Sequence, residues 1–242
     1  MSNPILNNMS EQTRVLDAEP MTVNGSINKT FVLLAFLVLA ACYTWGLALT
    51  GFTDKAQMLT WGGAIVGFVL AMVIIFSRKA LHILTPIYAI AEGFFIGGIS
   101  AVYAAQYAGI VVQAVIATFA TLAAMLLLFK TNLIQCTDKF RSVIFTATLS
   151  VGVIYLIQII ASLFGRGIPQ IFTSSGIGIV FSVVVVLIAA FNLIIDFDFI
   201  ERGSENLLPK TYEWYGAFGL MVSLVWLYLE ILRLLAKLSD RR

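Results

Sequence analysis

Ile177-Gly-Ile-Val-Phe-Ser-Val-Val-Val-Val-Leu-Ile-Ala-Ala-Phe-Asn-Leu-Ile-Ile-Asp196 is a run in which only Ser182, Asn192 and the closing Asp196 carry polar side chains. Its four consecutive valines, Val183 to Val186, would favour a strand in water. Length and hydropathy decide otherwise. About 20 apolar residues are what a helix needs to cross the hydrocarbon layer, and a lone strand there would leave its N–H and C=O groups unpaired. Six further runs of the same kind follow outward from this one, so the expected spans are residues 31–49, 58–76, 84–103, 109–129, 143–164, 177–196 and 214–235. Short polar joints separate them, such as Thr53-Asp54-Lys55, Ser77-Arg78-Lys79 and the stretch 201–210 with Pro209. The expected fold is an all-α polytopic membrane protein, a bundle of seven transmembrane helices.

Composition agrees. Of 242 residues, 60% are hydrophobic and 12% charged, with a mean hydropathy of +0.95. A soluble domain holds about 45–50% apolar and about 25% charged residues. The net charge of +2 is spread over scattered basic residues, which excludes a nucleic-acid face. Cys42 and Cys136 show no disulfide framework or metal-ligand spacing. Residues 1–29 are polar, and a secretory signal would place its apolar core at the very start. The expected organisation is therefore a mobile tail over residues 1–29 and a membrane domain over residues 30–242, with the first helix retained. Lys and Arg number nine on the N-terminal side and six on the other, and seven against two in the connecting loops alone. That bias favours a cytoplasmic N-terminus. Gly63-x-x-x-Gly67 and Gly93-x-x-x-Gly97 mark close helix packing, while Trp61, Tyr212, Trp214 and Tyr215 suit an interfacial belt.

Chemistry concentrates in a few acids, because an ionisable group at membrane depth costs about 2.5–3.5 kcal/mol on insertion scales. Glu92 lies near the middle of the third span, and nothing within four residues can neutralise it. Asn192, Gln158 and Ser100 are candidate neighbours for it. Asp196 and Asp198 close the sixth span, about 200° apart around a helix, so one alone can face the bundle centre. Both equally fit a plain interfacial position. Glu230 sits inside the seventh span, and Arg233, three residues on, shares its face. An intrahelical pair that neutralises both competes there with a carboxylate facing a polar interior. His82, the only histidine, stands in a basic joint and reads as solvated. No His-Glu-x-x-His, Gly-x-Ser-x-Gly, P-loop or Gly-x-Gly-x-x-Gly occurs, so neither an enzyme nor a cofactor is expected.

Three stretches, Ala91-Glu-Gly93, Asp196-Phe-Asp-Phe-Ile-Glu-Arg-Gly203 and Leu227-Tyr-Leu-Glu-Ile-Leu232, carry a resemblance to the Bax inhibitor-1, or transmembrane Bax inhibitor motif, family and its bacterial branch. The resemblance implies a seventh helix surrounded by the other six, in a bacterial inner membrane. It also implies an acid pair, Asp196 and Glu230, acting as a pH-responsive latch on a calcium leak path. Helix rise weighs on that pair. With a sixth helix ending at Gly203 and a seventh starting at Lys210, the two acids would differ in height by about 20 Å. Glu213 is then the depth-matched acid facing Asp196 or Asp198, unless the stretch around Pro209 does not climb the membrane. The expected function is a pH-sensitive passive cation leak, with Asp196, Glu230, Asp198, Glu213 and Arg233 as sensing groups and Glu92, Asp196 and Glu230 along the path. The alternative is a non-transporting regulator that binds another membrane protein, such as a quality-control protease.

Overall fold

The computed structural model describes residues 19–78, 80–164 and 169–241. Among them, seven helices are long and apolar enough to cross a membrane. They are α1 (Val23–Leu49), α2 (Thr53–Ser77), α3 (Leu81–Gln106), α4 (Ile110–Lys130), α5 (Asp138–Leu163), α6 (Gly176–Glu205) and α7 (Tyr212–Ser239). One helical turn, Pro169–Phe172, precedes α6. The seven-helix bundle expected from hydropathy is the fold.

The helices outrun the apolar stretches because their polar ends are satisfied locally. Thr22, Thr137 and Ser175 cap α1, α5 and α6 by accepting from the backbone N–H three residues on, the standard remedy for unpaired first-turn donors. Consequently α1 begins at Val23 rather than near residue 31, and residues 23–29 are helical. Of the expected tail, residues 1–18 lie outside the described residues. Residues 19–22 form a strap against the α6–α7 connector: Met21 N–H donates to Leu208 O at 2.7 Å, and Lys210 N–H to Glu19 O at 2.9 Å. Met21 itself is buried, with its sulfur over Gly203.

The helix α7 is the core. Within its most apolar window 61% of residues are buried, against 11% to 44% in the other six helices. It packs on α1, α3, α4 and α6, while α2 lies outside α3 and α5 lies outside α6. Backbones approach closely where the glycine spacing predicted. A methyl group on Gly93 or Gly97 would overlap the α1 backbone at Leu37 or Ala41. The outward faces carry Phe31, Leu39, Ile65, Phe68, Ile116 and Leu163, all exposed, which is what a lipid-facing surface requires. The connector end of the bundle holds the start of α1 and the joint between α6 and α7. The far end holds the start of α6 and the last turn of α7.

Candidate functional site

The acids fall into three levels, and each has its own partners. At the connector end, Asp198 lies between two guanidinium groups: Arg141 Nη2 at 2.5 Å and Arg202 Nε at 2.9 Å. Arg202 also donates to Cys136 O at 3.1 Å. The Cys136 thiol, in the α4–α5 joint, is pushed up by burial and by the Asp198 charge. Glu213 is 1% exposed. It accepts from Thr22 N and Thr22 Oγ1, each at 2.9 Å, and pairs with Lys29. The Lys29 ammonium also lies over the Trp214 ring at 5.4 Å. Glu213 therefore faces α1 and the strap, not Asp196 or Asp198. Asp198 and Glu213 thus each have a cation of their own, an arrangement that avoids two like charges sharing one site.

One level deeper, Asp196 points at α7. Its Oδ1 lies 3.1 Å from where a Cβ on Gly219 would stand, and the Ser223 side chain is beside the same carboxyl. Its Oδ2 is shut off from the surroundings and has no hydrogen-bond partner among the described residues. The depths agree. Asp196 is nine residues before the end of α6, about 14 Å, while Gly219 and Ser223 stand about 10 and 16 Å up α7. At a similar depth in α3, the Glu92 Oε2 sits over Gly67 of α2, with the Tyr88 hydroxyl beside it. Tyr88 in turn meets Phe218 of α7 edge-on, ring centroids 5.0 Å apart. Two of the neighbours expected for Glu92 are engaged elsewhere. Asn192 donates to Thr148 Oγ1 at 2.9 Å, and Ser100 pairs with Tyr228 at 2.7 Å.

Toward the far end, Glu230 is 1% exposed and fully engaged. Arg233 Nη1 donates to both its oxygens at 2.8 Å, Tyr155 to Oε1 at 2.8 Å and Trp226 Nε1 at 3.2 Å. Arg233 also donates to the Tyr155 hydroxyl at 2.5 Å and lies over its ring. The intrahelical pair is formed, and a residue of α5 completes it. Glu230 stands about 16 Å above Gly219 along α7, so the Asp196–Glu230 contact implied by the resemblance is not made. One turn beyond Arg233, Lys237 is buried and makes no ion pair among the described residues. Its Nζ donates to Ile171 O and Gly178 O at 3.0 Å and to Ser182 Oγ at 2.9 Å. Beyond Arg233 a polar cavity of about 340 Å³ opens toward the far end.

Sequence reasoning missed Tyr155, Lys237, Lys29, Arg141 and Ser223 as partners. Lys237 had a usable signal, since it lies seven residues from Glu230 and so on the same face. A tyrosine or serine inside an apolar run carries no such signal. Among the described residues no three His, Cys, Asp or Glu side chains cluster as for a resident metal.

A family profile described as Bax inhibitor 1 like matches residues 3–240. No curated protein matches the chain significantly.

Proposed function

The chain belongs to the Bax inhibitor 1 like family, is a multi-pass membrane protein, and we propose that it works as a pH-sensitive passive cation leak with calcium as the cation. One observation carries this reading: Asp196 Oδ2, enclosed in the bundle without a hydrogen-bond partner among the described residues. A buried carboxylate oxygen left unpaired is costly, and either a proton or a metal cation completes it. Both compete for the same atom, so cation affinity and pH sensitivity reside in one group. Carboxylate oxygens are the ligands calcium prefers, six to eight of them in a tight site. Asp196 and Glu92 at one depth and Glu230 at another suit an ion in passage rather than one held.

At the far end the gate is a tethered cation. Arg233 occupies Glu230 where a mobile ion would bind, so passage requires the guanidinium to leave the carboxylate. The two gating groups thus lie on α6 and α7 but act in series, at different depths, rather than as a touching pair. No catalytic chemistry is needed. The excess of Lys and Arg on the connector side supports a cytoplasmic N-terminus in a bacterial inner membrane. The test is calcium entry into proteoliposomes across a pH series. Asp196→Asn is expected to flatten the pH response, and Glu230→Gln to raise flux by freeing Arg233. Flux indifferent to both substitutions sinks the reading.

The strap supports a second reading, a regulator of another membrane protein. Residues 19–22 bind the connector directly above the buried Glu213, so a partner holding residues 1–18 has a direct handle on the start of α7. Deleting residues 1–18 while keeping the strap separates the two. Loss of partner binding with flux intact identifies regulation.

A further inference from the structure

The far-end cavity has a polarity that the leak reading does not use. Its floor carries Arg233 and Lys237 of α7, and its rim carries Asp240, which caps the end of that helix on the same side. Arg233 spends only Nη1 on Glu230 and Tyr155. Its Nε and Nη2 have no acceptor among the described residues, and the side chain is 34% exposed. That free edge is a planar fork of the kind that grips phosphate oxygens in pairs. Lys237 adds a second positive charge, whose hydrogen bonds all go to neutral oxygens. At the mouth, the Asp240 carboxylate accepts from Tyr107, which follows α3, and, at 2.7 Å, from Ser174. A carboxylate has about four lone-pair sites, so two remain for a ligand.

Net charge narrows the choice. Arg233 and Lys237 balance Glu230 and Asp240, so a simple anion meets the acid rim and a simple cation meets the basic floor. A zwitterion with its anionic group inward and its ammonium outward matches both. Arg233 and Asp240 are seven residues apart along this face, about 10 Å. A free amino acid is too short to reach both. The cavity also borders lipid, since Val102 on its wall is 56% exposed. In a phospholipid the phosphate sits next to the hydrocarbon and the amine points to water, the same order as floor and rim. We propose that this cavity binds the phosphoethanolamine headgroup of an aminophospholipid, phosphate on Arg233 and ammonium on Asp240. At about 340 Å³, it lies within the usual size range of ligand pockets, about 300–1,000 Å³.

Native mass spectrometry of the purified protein tests this without any flux measurement, so its outcome is independent of the leak. Phosphatidylethanolamine, phosphatidylcholine and phosphatidylglycerol of identical acyl chains are titrated in turn. The wild-type protein is expected to retain phosphatidylethanolamine about fivefold better than the other two, because only a primary ammonium hydrogen-bonds Asp240. Asp240→Asn, at an exposed helix end, is expected to erase the preference over phosphatidylcholine. Arg233→Lys keeps a charge on Glu230 but loses the fork, and is expected to weaken both zwitterionic lipids alike. Equal retention of all three lipids by the wild type, or an undiminished preference in Asp240→Asn, overturns the proposal. Soluble O-phosphoethanolamine binding as tightly as the lipid overturns the membrane as its source.

Discussion

Replacing Lys29 with Met leaves the Glu213 carboxylate with only the Thr22 donors, inside a site from which water is nearly excluded. Removing one partner of a buried pair costs about 3–5 kcal/mol. Lys29→Met should therefore lower the unfolding temperature in detergent sharply, and adding Glu213→Gln should restore part of the loss, a coupling that a double-mutant cycle measures. Asp198→Asn should cost less, about 1–2 kcal/mol, because the Arg141 and Arg202 side chains are 42% and 50% exposed. At this scale the acids were legible in the sequence, since a carboxylate in an apolar run has few innocent explanations. Their partners were not. Arg141 sat in a joint and Lys29 in the N-terminal tail, both counted toward orientation, and Tyr155 looked like any aromatic in a span. Pairing depends on rotation and depth, which only packing sets.

Between α6 and α7 the register fixes which residues meet. Cysteines at positions 196 and 223 should form a disulfide under mild oxidation, and cysteines at 196 and 230 should not, because about 10 Å of helix separates Ser223 from Glu230. Efficient crosslinking of the second pair would show a different register in the membrane. The existence of seven spans was readable from hydropathy, whereas their ends were not. The sixth span was expected to stop at Asp196, yet α6 continues to Glu205. Asp198 and Arg202 pair one turn apart, so the acidic stretch is stabilised as helix instead of ending it. The resemblance anticipated a central last helix. It did not anticipate that α2 and α5 would each stand one layer out, with α5 reaching α7 through the Tyr155 side chain.

Across the whole molecule, the ties at the two ends respond to acid differently from a gate. Glu19 is held below the usual carboxylate range by the hydrogen bond and charge of Lys210, and Asp240 by the Tyr107 and Ser174 hydroxyls. A depressed carboxylate stabilises above its ordinary pKa, and that contribution is lost only as pH falls through the lower folded value. Both ties should thus persist from pH 8 to pH 5. Hydrogen exchange in the α6–α7 connector, corrected for the intrinsic rate, should be flat over that window and rise only in stronger acid. A rise near neutral pH would show that the strap itself is the pH-responsive part.

The central position of α7 also dictates an order of birth. In chain order the innermost of these seven spans follows the other six, so those six enter the bilayer around a middle not yet filled. Until α7 arrives, Lys29 lacks Glu213, the Tyr155 hydroxyl has neither of its α7 partners, and Ser100 lacks Tyr228. The nascent protein therefore passes through a hollow stage lined with unspent polar groups. Whatever shelters that stage in the cell governs how much finished protein appears.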